Sequence, residues 1–202
     1  MKILVALAGV ALLAACHPAA PPPAAAPAVE APSPVTDALK VLPGSPHVTG
    51  LPGASPCKVG KSATGKPLPD PVCTPGSISS AVTQANIKTT ICVSGYATTI
   101  RPPVSETGPA KKASMRAYGE ASASSGTTEY DHLVPLELSG SSDTSNLWAQ
   151  PSDLPGQGFR NSKDTVENDL HAAVCSGKVT LSAAQIAIAS NWTTAEHVLG
   201  IK

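Results

Sequence analysis

An aspartate and a histidine stand side by side in the stretch EYDHLVPLELSGSSDTSNLWAQP, which covers residues 129–151. A histidine whose pKa is near its ordinary value of about 6.5 can take a proton from water at neutral pH. Because adjacent side chains of a strand point to opposite faces, Asp131 and His132 can meet different partners. Asp-His pairs are also common on surfaces that carry no site, so the meaning of this pair depends on the residues around it.

The residues around the pair predict a hairpin followed by a helix. Residues 132–138 suit a strand, although Pro135 restricts it to an edge or a bulge, and residues 146–150 form the return strand after a turn of small polar residues. A loop rich in proline and glycine leads to a helix predicted over residues 161–175, with Asn161 as its N-cap. Apolar residues at i, i+4 and i+8 give this helix a face that packs against the core, namely Val166, Leu170 and Val174.

Further elements are predicted on both sides of this unit. Residues 89–100 are rich in Thr, Val and Ile, which is typical of a strand, and residues 110–118 suit a short helix. Residues 180–192 predict a second amphipathic helix, with Ile186 and Trp192 directed inward.

The chain closely resembles the HNH-like endonucleases of the ββα-metal superfamily in two consecutive stretches, YDHLVPLELSGSSDTSNLWAQP and NSKDTVENDLHAAVCSGKVTLSAAQIAIASNW. The resemblance extends upstream to CTPG, VTQANIKTTICVSGY and IRPPVS, so that it covers roughly residues 73–192. It implies an α+β fold in which a small ββα-metal core carries additional helices and strands.

The resemblance also implies a role for each matching residue. It makes His132 the general base, Asp131 a metal ligand, and Asn146 the residue that ties the loop between the strands and orients the histidine. The third position of the motif is a histidine in many relatives and is Asn161 here, whose carbonyl oxygen can ligate a hard cation. That use of Asn161 competes with its use as a helix cap. The implied cofactor is one divalent cation, Mg²⁺ first and Mn²⁺ or another ion as the alternative.

A site of this type hydrolyses phosphodiester bonds. The cation stabilises the phosphate and the leaving oxygen as a Lewis acid, while the histidine activates a water molecule. The expected substrate is DNA, with RNA as an alternative, and the shortage of aromatic residues predicts low sequence specificity. The competing hypothesis is a non-catalytic envelope lipoprotein that binds nucleic acid or a cell-wall partner, and the asparagine at position 161 favours it.

Charge is divided unevenly along the chain, although the net charge is zero. Residues 57–116 carry eight Lys or Arg and two acidic residues, a net +6, whereas residues 117–202 carry four basic and ten acidic residues, a net −6. The basic half predicts contacts with a phosphate backbone, although chance segregation of surface charge gives the same pattern. The candidate contacts are Arg101, Lys111, Lys112, Arg116, Arg160 and Lys163.

The first sixteen residues, MKILVALAGVALLAAC, form a predicted signal peptide, because their apolar run is too short to span a bilayer comfortably. Their end is similar to a lipobox and predicts a lipid on Cys16, with an ordinary signal peptide and a chance cysteine as the alternative. We expect an exported monomer anchored to the cell envelope, at the outer membrane if the bacterium has two membranes. Residues 17–52, rich in proline and alanine, are predicted to be a disordered linker, and residues 53–202 the nuclease domain.

Four cysteines remain once Cys16 is set aside. An even number in an exported chain predicts two disulfides that staple the domain, and three pairings are possible. Of these we favour one local pair and one long-range pair. Zinc ligation by cysteine is disfavoured, because no two of the four cysteines have C-x-x-C spacing. The favoured pairs are Cys57 with Cys73 and Cys92 with Cys175.

Overall fold

Short strands and helices combine in a mixed α+β fold, in agreement with the predicted class. The computed structural model describes residues 39–50, 56–121 and 123–202, and these belong to one unit that spans Val35–Lys202. The strands in these ranges form three two-stranded sheets: β1 (Lys40–Leu42), β2 (Gly60–Lys61), β3 (Pro67–Leu68), β4 (Ser77–Ser79), β5 (Thr128–His132) and β6 (Leu147–Pro151). The same ranges contain five α-helices: α1 (Tyr96–Thr99), α2 (Val104–Ala117), α3 (Lys163–Ser176), α4 (Leu181–Asn191) and α5 (Ala195–Val198).

The predicted hairpin and helix correspond to β5, β6 and α3. Strand β5 pairs with β6 in an antiparallel register that places Asp131 opposite Trp148 and Glu129 opposite Gln150. The first strand ends at His132 instead of beginning there, and Leu136–Leu138 is a 3₁₀ helix. The predicted strand over residues 132–138 was therefore wrong in its bounds, because Pro135 has no N–H to continue the ladder and the chain turns there.

The connection between the two strands folds back on itself closely. Ser139 adopts a left-handed conformation with a φ of 62°. A Cβ added to Gly140 would lie 1.6 Å from the carbonyl oxygen of Val134, so that only glycine fits at this position.

The core lies between this connection and the two long C-terminal helices. Val166, Leu170 and Val174 are buried and pack together with Val134 and Leu138, which confirms the predicted apolar face of α3. Helix α4 contributes Leu181, Ala184 and Ile188 to the same cluster.

The inward face of α4 differs from the predicted one. Trp192 is buried as expected, and its indole nitrogen donates a 2.9 Å hydrogen bond to the carbonyl oxygen of Pro67. Ile186, however, is 45% exposed, because Ile188, two residues further on, takes the core position.

The strand predicted over residues 89–100 was wrong. The segment contains the end of a 3₁₀ helix, Ile87–Thr89, and the short helix α1. Ile87 and Ile91, four residues apart, are both buried, and Gly95 takes the left-handed conformation with a φ of 82°. The apolar content that favoured a strand thus has the spacing of a helical turn.

The folded unit begins earlier than predicted. Strand β1 lies inside the predicted linker, residues 17–52, and pairs in parallel with β4. Further along, the backbone N–H of Val48 donates a 3.0 Å hydrogen bond to the carboxylate of Glu106. The linker boundary at residue 52 was therefore too late, since the β1–β4 pairing and the Val48–Glu106 contact are part of the fold. Cys16 and residues 1–38 lie outside the described residues.

Both favoured disulfides are present. Cys57 is bonded to Cys73 and Cys92 to Cys175, across sequence separations of 16 and 83 residues. Such bonds are consistent with an exported protein, since they persist in oxidising compartments. Over the described ranges, no helix combines the length and the apolar character needed to cross a bilayer.

The two disulfides should contribute unequally to stability. A longer closed loop removes more entropy from the unfolded chain, and with separations of 83 and 16 residues the expected contributions are about 4.5 and about 3 kcal/mol. Urea unfolding of the Cys92→Ser/Cys175→Ser and Cys57→Ser/Cys73→Ser double variants measures both. Equal losses, or a larger loss for the short loop, would show that native-state contacts outweigh loop length.

Candidate functional site

One face of the β5–β6 hairpin carries the acidic residues of the candidate site. Because side chains alternate along a strand, Glu129 and Asp131 lie on one face and His132 lies on the other. The carboxylate of Asp131 accepts a 3.3 Å hydrogen bond from the indole nitrogen of Trp148, its cross-strand partner.

Lys163, the first residue of α3, lies inside the protein and joins the helix to β5. Its side chain is 1% exposed, and its ammonium group lies 2.8 Å from the carboxylate of Asp131 and forms a second ion pair with Glu167. It also donates a 2.8 Å hydrogen bond to the carbonyl oxygen of His132. Burial works against the charge, but the two carboxylates outweigh it and raise the pKa of Lys163. The prediction that Lys163 contacts phosphate at the surface was therefore wrong, because all of its contacts are internal.

The His132 imidazole is nearly enclosed. It is 7% exposed, and its Nε2 lies 3.1 Å from the hydroxyl oxygen of Ser142. Burial, followed by the positive charges of Arg101 and Lys163, lowers the pKa of His132 to about 3. The imidazole is consequently neutral at neutral pH, and so low a pKa also makes it a weaker proton acceptor than a histidine at its ordinary value of about 6.5.

Asn146 is a fully buried tie between the two ends of the connecting loop. Its side-chain amide donates 2.9 Å hydrogen bonds to the carbonyl oxygens of Val134 and Ser141 and accepts a 2.9 Å bond from the N–H of Val134. Its backbone carbonyl accepts a 2.8 Å bond from Leu133, the neighbour of His132. These contacts hold the loop that begins immediately after the histidine.

Asn161 stands before α3 and does not cap it. The N-cap position belongs to Ser162, so the predicted cap at Asn161 was wrong. The Asn161 side chain is turned toward the hairpin, where Nδ2 donates a 3.0 Å hydrogen bond to Glu129 and a 2.9 Å bond to the carbonyl oxygen of Phe159. Its Oδ1 is buried without a hydrogen-bond partner, although such groups are usually paired.

Three residues of this cluster were not singled out as site residues from the sequence: Glu129, Gln150 and Glu167. Burial and the charge of Asp131 raise the pKa of Glu129 to about 7, although the bond from Asn161 opposes this rise. Burial likewise raises the pKa of Glu167 to about 8, against the attraction of Lys163. Glu129 could have been found from its i, i+2 spacing to Asp131, whereas Gln150 becomes a neighbour only through the strand register.

A second group of possible metal ligands lies around the long-range disulfide. One donor atom each of Cys92, His171 and Cys175 lies within 4.8 Å of the others, and His171 also makes a 2.8 Å hydrogen bond with the carbonyl oxygen of Ile91. The two sulfurs are bonded to each other, and a metal needs the free thiolate. This group could therefore hold a metal only after reduction of the disulfide.

The remaining candidate phosphate contacts are distributed over the surface. Arg101, Lys112, Arg116 and Arg160 are exposed. Lys111 is half-buried and donates a 2.6 Å hydrogen bond to the carbonyl oxygen of Ser125. Arg101 stands out among them, because its charge acts on the imidazole of His132.

Comparison of the chain with models of protein families, with curated proteins and with solved structures found no match.

Removal of the buried ammonium should destabilise the protein strongly. In Lys163→Met the carboxylates of Asp131 and Glu167 lose their common partner, and an uncompensated buried charge costs about 3–5 kcal/mol in the free energy of unfolding. Urea denaturation measures the loss.

The exposed Arg160→Met variant is the matched control, with an expected change within about 0.5 kcal/mol. Adding Asp131→Asn to Lys163→Met should restore part of the lost stability, because it removes one of the two buried carboxylates that have lost their ammonium partner. A loss below about 1 kcal/mol in Lys163→Met would contradict a stabilising ion cluster.

The start of α3 should depend on pH through Asp153. Its carboxylate lies 2.7 Å from the ammonium of Lys66 and accepts a 2.8 Å hydrogen bond from the N–H of Ser162. Burial favours the neutral form, but these contacts outweigh it and hold the pKa of Asp153 below its ordinary value.

Because this pKa is lowered by folding, its contribution to stability is present above the unfolded value of about 3.9 and is lost as pH falls through the folded value. Asp153→Asn should therefore reduce the free energy of unfolding by about 1–2 kcal/mol at neutral pH, and by progressively less as pH falls through the lowered folded pKa. Urea unfolding of both proteins across this range tests the sign. A constant difference would mean that the carboxylate charge contributes nothing.

Proposed function

We propose that this protein is an endonuclease of the HNH-like, ββα-metal class that hydrolyses phosphodiester bonds of DNA, and of RNA as an alternative, with low sequence specificity. The observation that supports this best is the clustering around β5. Asp131 and His132 occupy the end of this strand, and Asn161 reaches the same strand from the start of α3. Asp131 and the Glu129 contact of Asn161 thus lie on one face of β5, whereas His132 projects from the opposite face of the same strand.

The donor set suits a hard divalent cation such as Mg²⁺, with Mn²⁺ as the alternative. Asp131 offers a carboxylate, and Asn161 offers a buried carbonyl oxygen that has no hydrogen-bond partner. The two contacts of Asp131, from Lys163 and Trp148, both go to Oδ2, and we assign Oδ1 to the cation. When bound, such a cation supplies Lewis-acid stabilisation of the phosphate and the leaving oxygen.

His132 takes the role of general base in this proposal. Its imidazole is neutral and carries a nitrogen lone pair, but burial and the nearby positive charges oppose proton uptake in the unbound protein. A phosphate beside Arg101 would offset one of these positive charges, and proton uptake by His132 would become easier when substrate binds.

Asn146 is a positioning residue in this scheme. It holds the loop that follows His132 through hydrogen bonds to Val134 and Ser141. The exposed side chains of Arg101, Lys112, Arg116 and Arg160 and the half-buried Lys111 supply candidate contacts with the phosphate backbone, which need no particular base sequence.

Export and anchoring remain part of the proposal. The two disulfides are consistent with an oxidising compartment, and we propose that a lipid on Cys16 holds the enzyme at the cell envelope, at the outer membrane in a bacterium with two membranes.

One observation favours the alternative of a non-catalytic envelope lipoprotein that binds nucleic acid or a cell-wall partner. Lys163 already neutralises Asp131, as it would in a purely structural ion cluster. Nucleic-acid binding that is unchanged by a chelator and by Asp131→Asn would support this alternative.

Cleavage of supercoiled plasmid DNA by the purified domain tests the proposed reaction. Wild type should nick the plasmid in the presence of Mg²⁺ or Mn²⁺, and excess EDTA should stop the reaction. His132→Ala should reduce the rate by about 10²–10⁴-fold, the range typical of general-base catalysis.

His197→Ala is the matched control, since His197 is exposed at the C-terminal helix α5 and should leave the rate unchanged. Thermal unfolding checks that each variant is folded. Equal rates for wild type and His132→Ala with every divalent cation would reject the catalytic proposal.

A further inference from the structure

Two buried amide side chains near β5 have polar atoms without hydrogen-bond partners. Gln150 is 0% exposed, and neither its Oε1 nor its Nε2 is paired; Asn161 is 3% exposed, and its Oδ1 is unpaired. Each unpaired buried group costs about 1–3 kcal/mol relative to a paired one. A bound water molecule or ion is a partner that would satisfy such groups.

The two amides are neighbours through Glu129. Gln150 is the cross-strand partner of Glu129 in the β5–β6 register, so both side chains project from the same face of the hairpin. Asn161 contacts the Glu129 carboxylate directly, at 3.0 Å. One carboxylate and two amide oxygens therefore border the same region.

The position of the Asn161 amino group identifies what this region can bind. The Nδ2 atom lies 3.0 Å from Oε2 of Glu129 and 2.9 Å from the carbonyl oxygen of Phe159. Rotation of the amide by half a turn would put Oδ1 in that place, beside two other oxygens. Neighbouring oxygen ligands of an octahedral cation lie about 3 Å apart, given metal–oxygen bonds of about 2.0–2.1 Å. In that rotated position, Oδ1 of Asn161 has the spacing from Glu129 that two oxygen ligands of one cation require.

The type of donor limits the cation. The region offers oxygens from Glu129, Gln150 and Asn161, whereas the imidazole of His132 lies on the opposite face of β5. Oxygen donors with one carboxylate free of an ion pair suit a hard divalent cation that keeps some of its water. Asp131 lies on the same face, but its Oδ2 is bound by Lys163.

We propose that Glu129 and Gln150 bind a hard divalent cation together with Asn161. The further statement that this cation is the one used in cleavage rests on the proposed function. The existence of the binding site does not depend on the proposed function. In this arrangement Glu129 supplies the main negative charge, Gln150 and Asn161 supply neutral oxygens, and Asp131 is shared between the cation and Lys163.

Terbium luminescence tests the binding site without any need for cleavage. Tb³⁺ is a hard ion bound by oxygen ligands, and Trp148, opposite Asp131 on β6, is placed to sensitise its emission. Wild type should give saturable emission that Mg²⁺ displaces. Glu129→Gln should weaken Tb³⁺ binding at least tenfold and Gln150→Met at least threefold.

Asp169→Asn is the matched control, because it removes a carboxylate of α3 that is paired with Lys202 and is not among the proposed cation ligands. Its Tb³⁺ affinity should equal that of wild type. Equal affinities in Glu129→Gln, Gln150→Met and wild type would overturn the proposal.

Thermal unfolding of two Gln150 variants separates ligation from a structural role. Gln150 makes no side-chain hydrogen bond, so Gln150→Met should match or exceed the melting temperature of wild type in EDTA, and it should lose the increase that Mg²⁺ gives wild type. Gln150→Glu should be less stable in EDTA, because it faces Glu129, and should gain more from Mg²⁺ than wild type does. A Mg²⁺ response that neither change alters would contradict ligation by Gln150.

The plasmid assay on the same variants separates this inference from the proposed function. Glu129-dependent and Gln150-dependent Tb³⁺ binding without any DNA cleavage would reject the nuclease and leave the cation site in place. If Glu129→Gln and Gln150→Met both cleave DNA with the same metal dependence as wild type, the cation site is rejected and the nuclease proposal stands.

Discussion

The buried ammonium of Lys163 is the contact on which the site depends most. It binds the carboxylates of Asp131 and Glu167 and the backbone carbonyl of His132, and it therefore fixes the first turn of α3 against the last residues of β5. A charge enclosed at this depth is tolerated only with such partners, because removal from water is costly. The position of the helix relative to the Asp-His pair is consequently set by electrostatics, while the apolar face of α3 provides the packing.

The same contact shows where sequence reasoning succeeds and where it stops. The order hairpin then helix, the core face of α3 and the number of disulfides follow from local patterns, namely turn residues, helical spacing and cysteine count. The burial of Lys163 does not, because a lysine at a helix start is usually solvated. The i, i+4 spacing of Lys163 and Glu167 can be read from the sequence. The second partner, Asp131, is far from Lys163 in the sequence and becomes its neighbour only in the folded protein.

The ends of the strands are a second feature that local sequence patterns do not determine. Pro135 is unfavourable in a strand, but the turn of the chain also depends on Asn146, whose amide binds both ends of the loop, and on Gly140, where no side chain fits. Strand register is likewise a property of the folded pair. For this reason Gln150, an unremarkable residue in the sequence, becomes the neighbour of Glu129 only when β5 and β6 are aligned.

The long-range disulfide has a topological consequence for the site. The bond between Cys92 and Cys175 closes a covalent ring that contains Arg101, Asp131, His132, Asn146 and Asn161. A single cut of the backbone anywhere inside this ring opens it but separates nothing, because the two pieces stay joined through sulfur. A nicked molecule in a protease-rich environment would therefore keep all of these side chains on one particle.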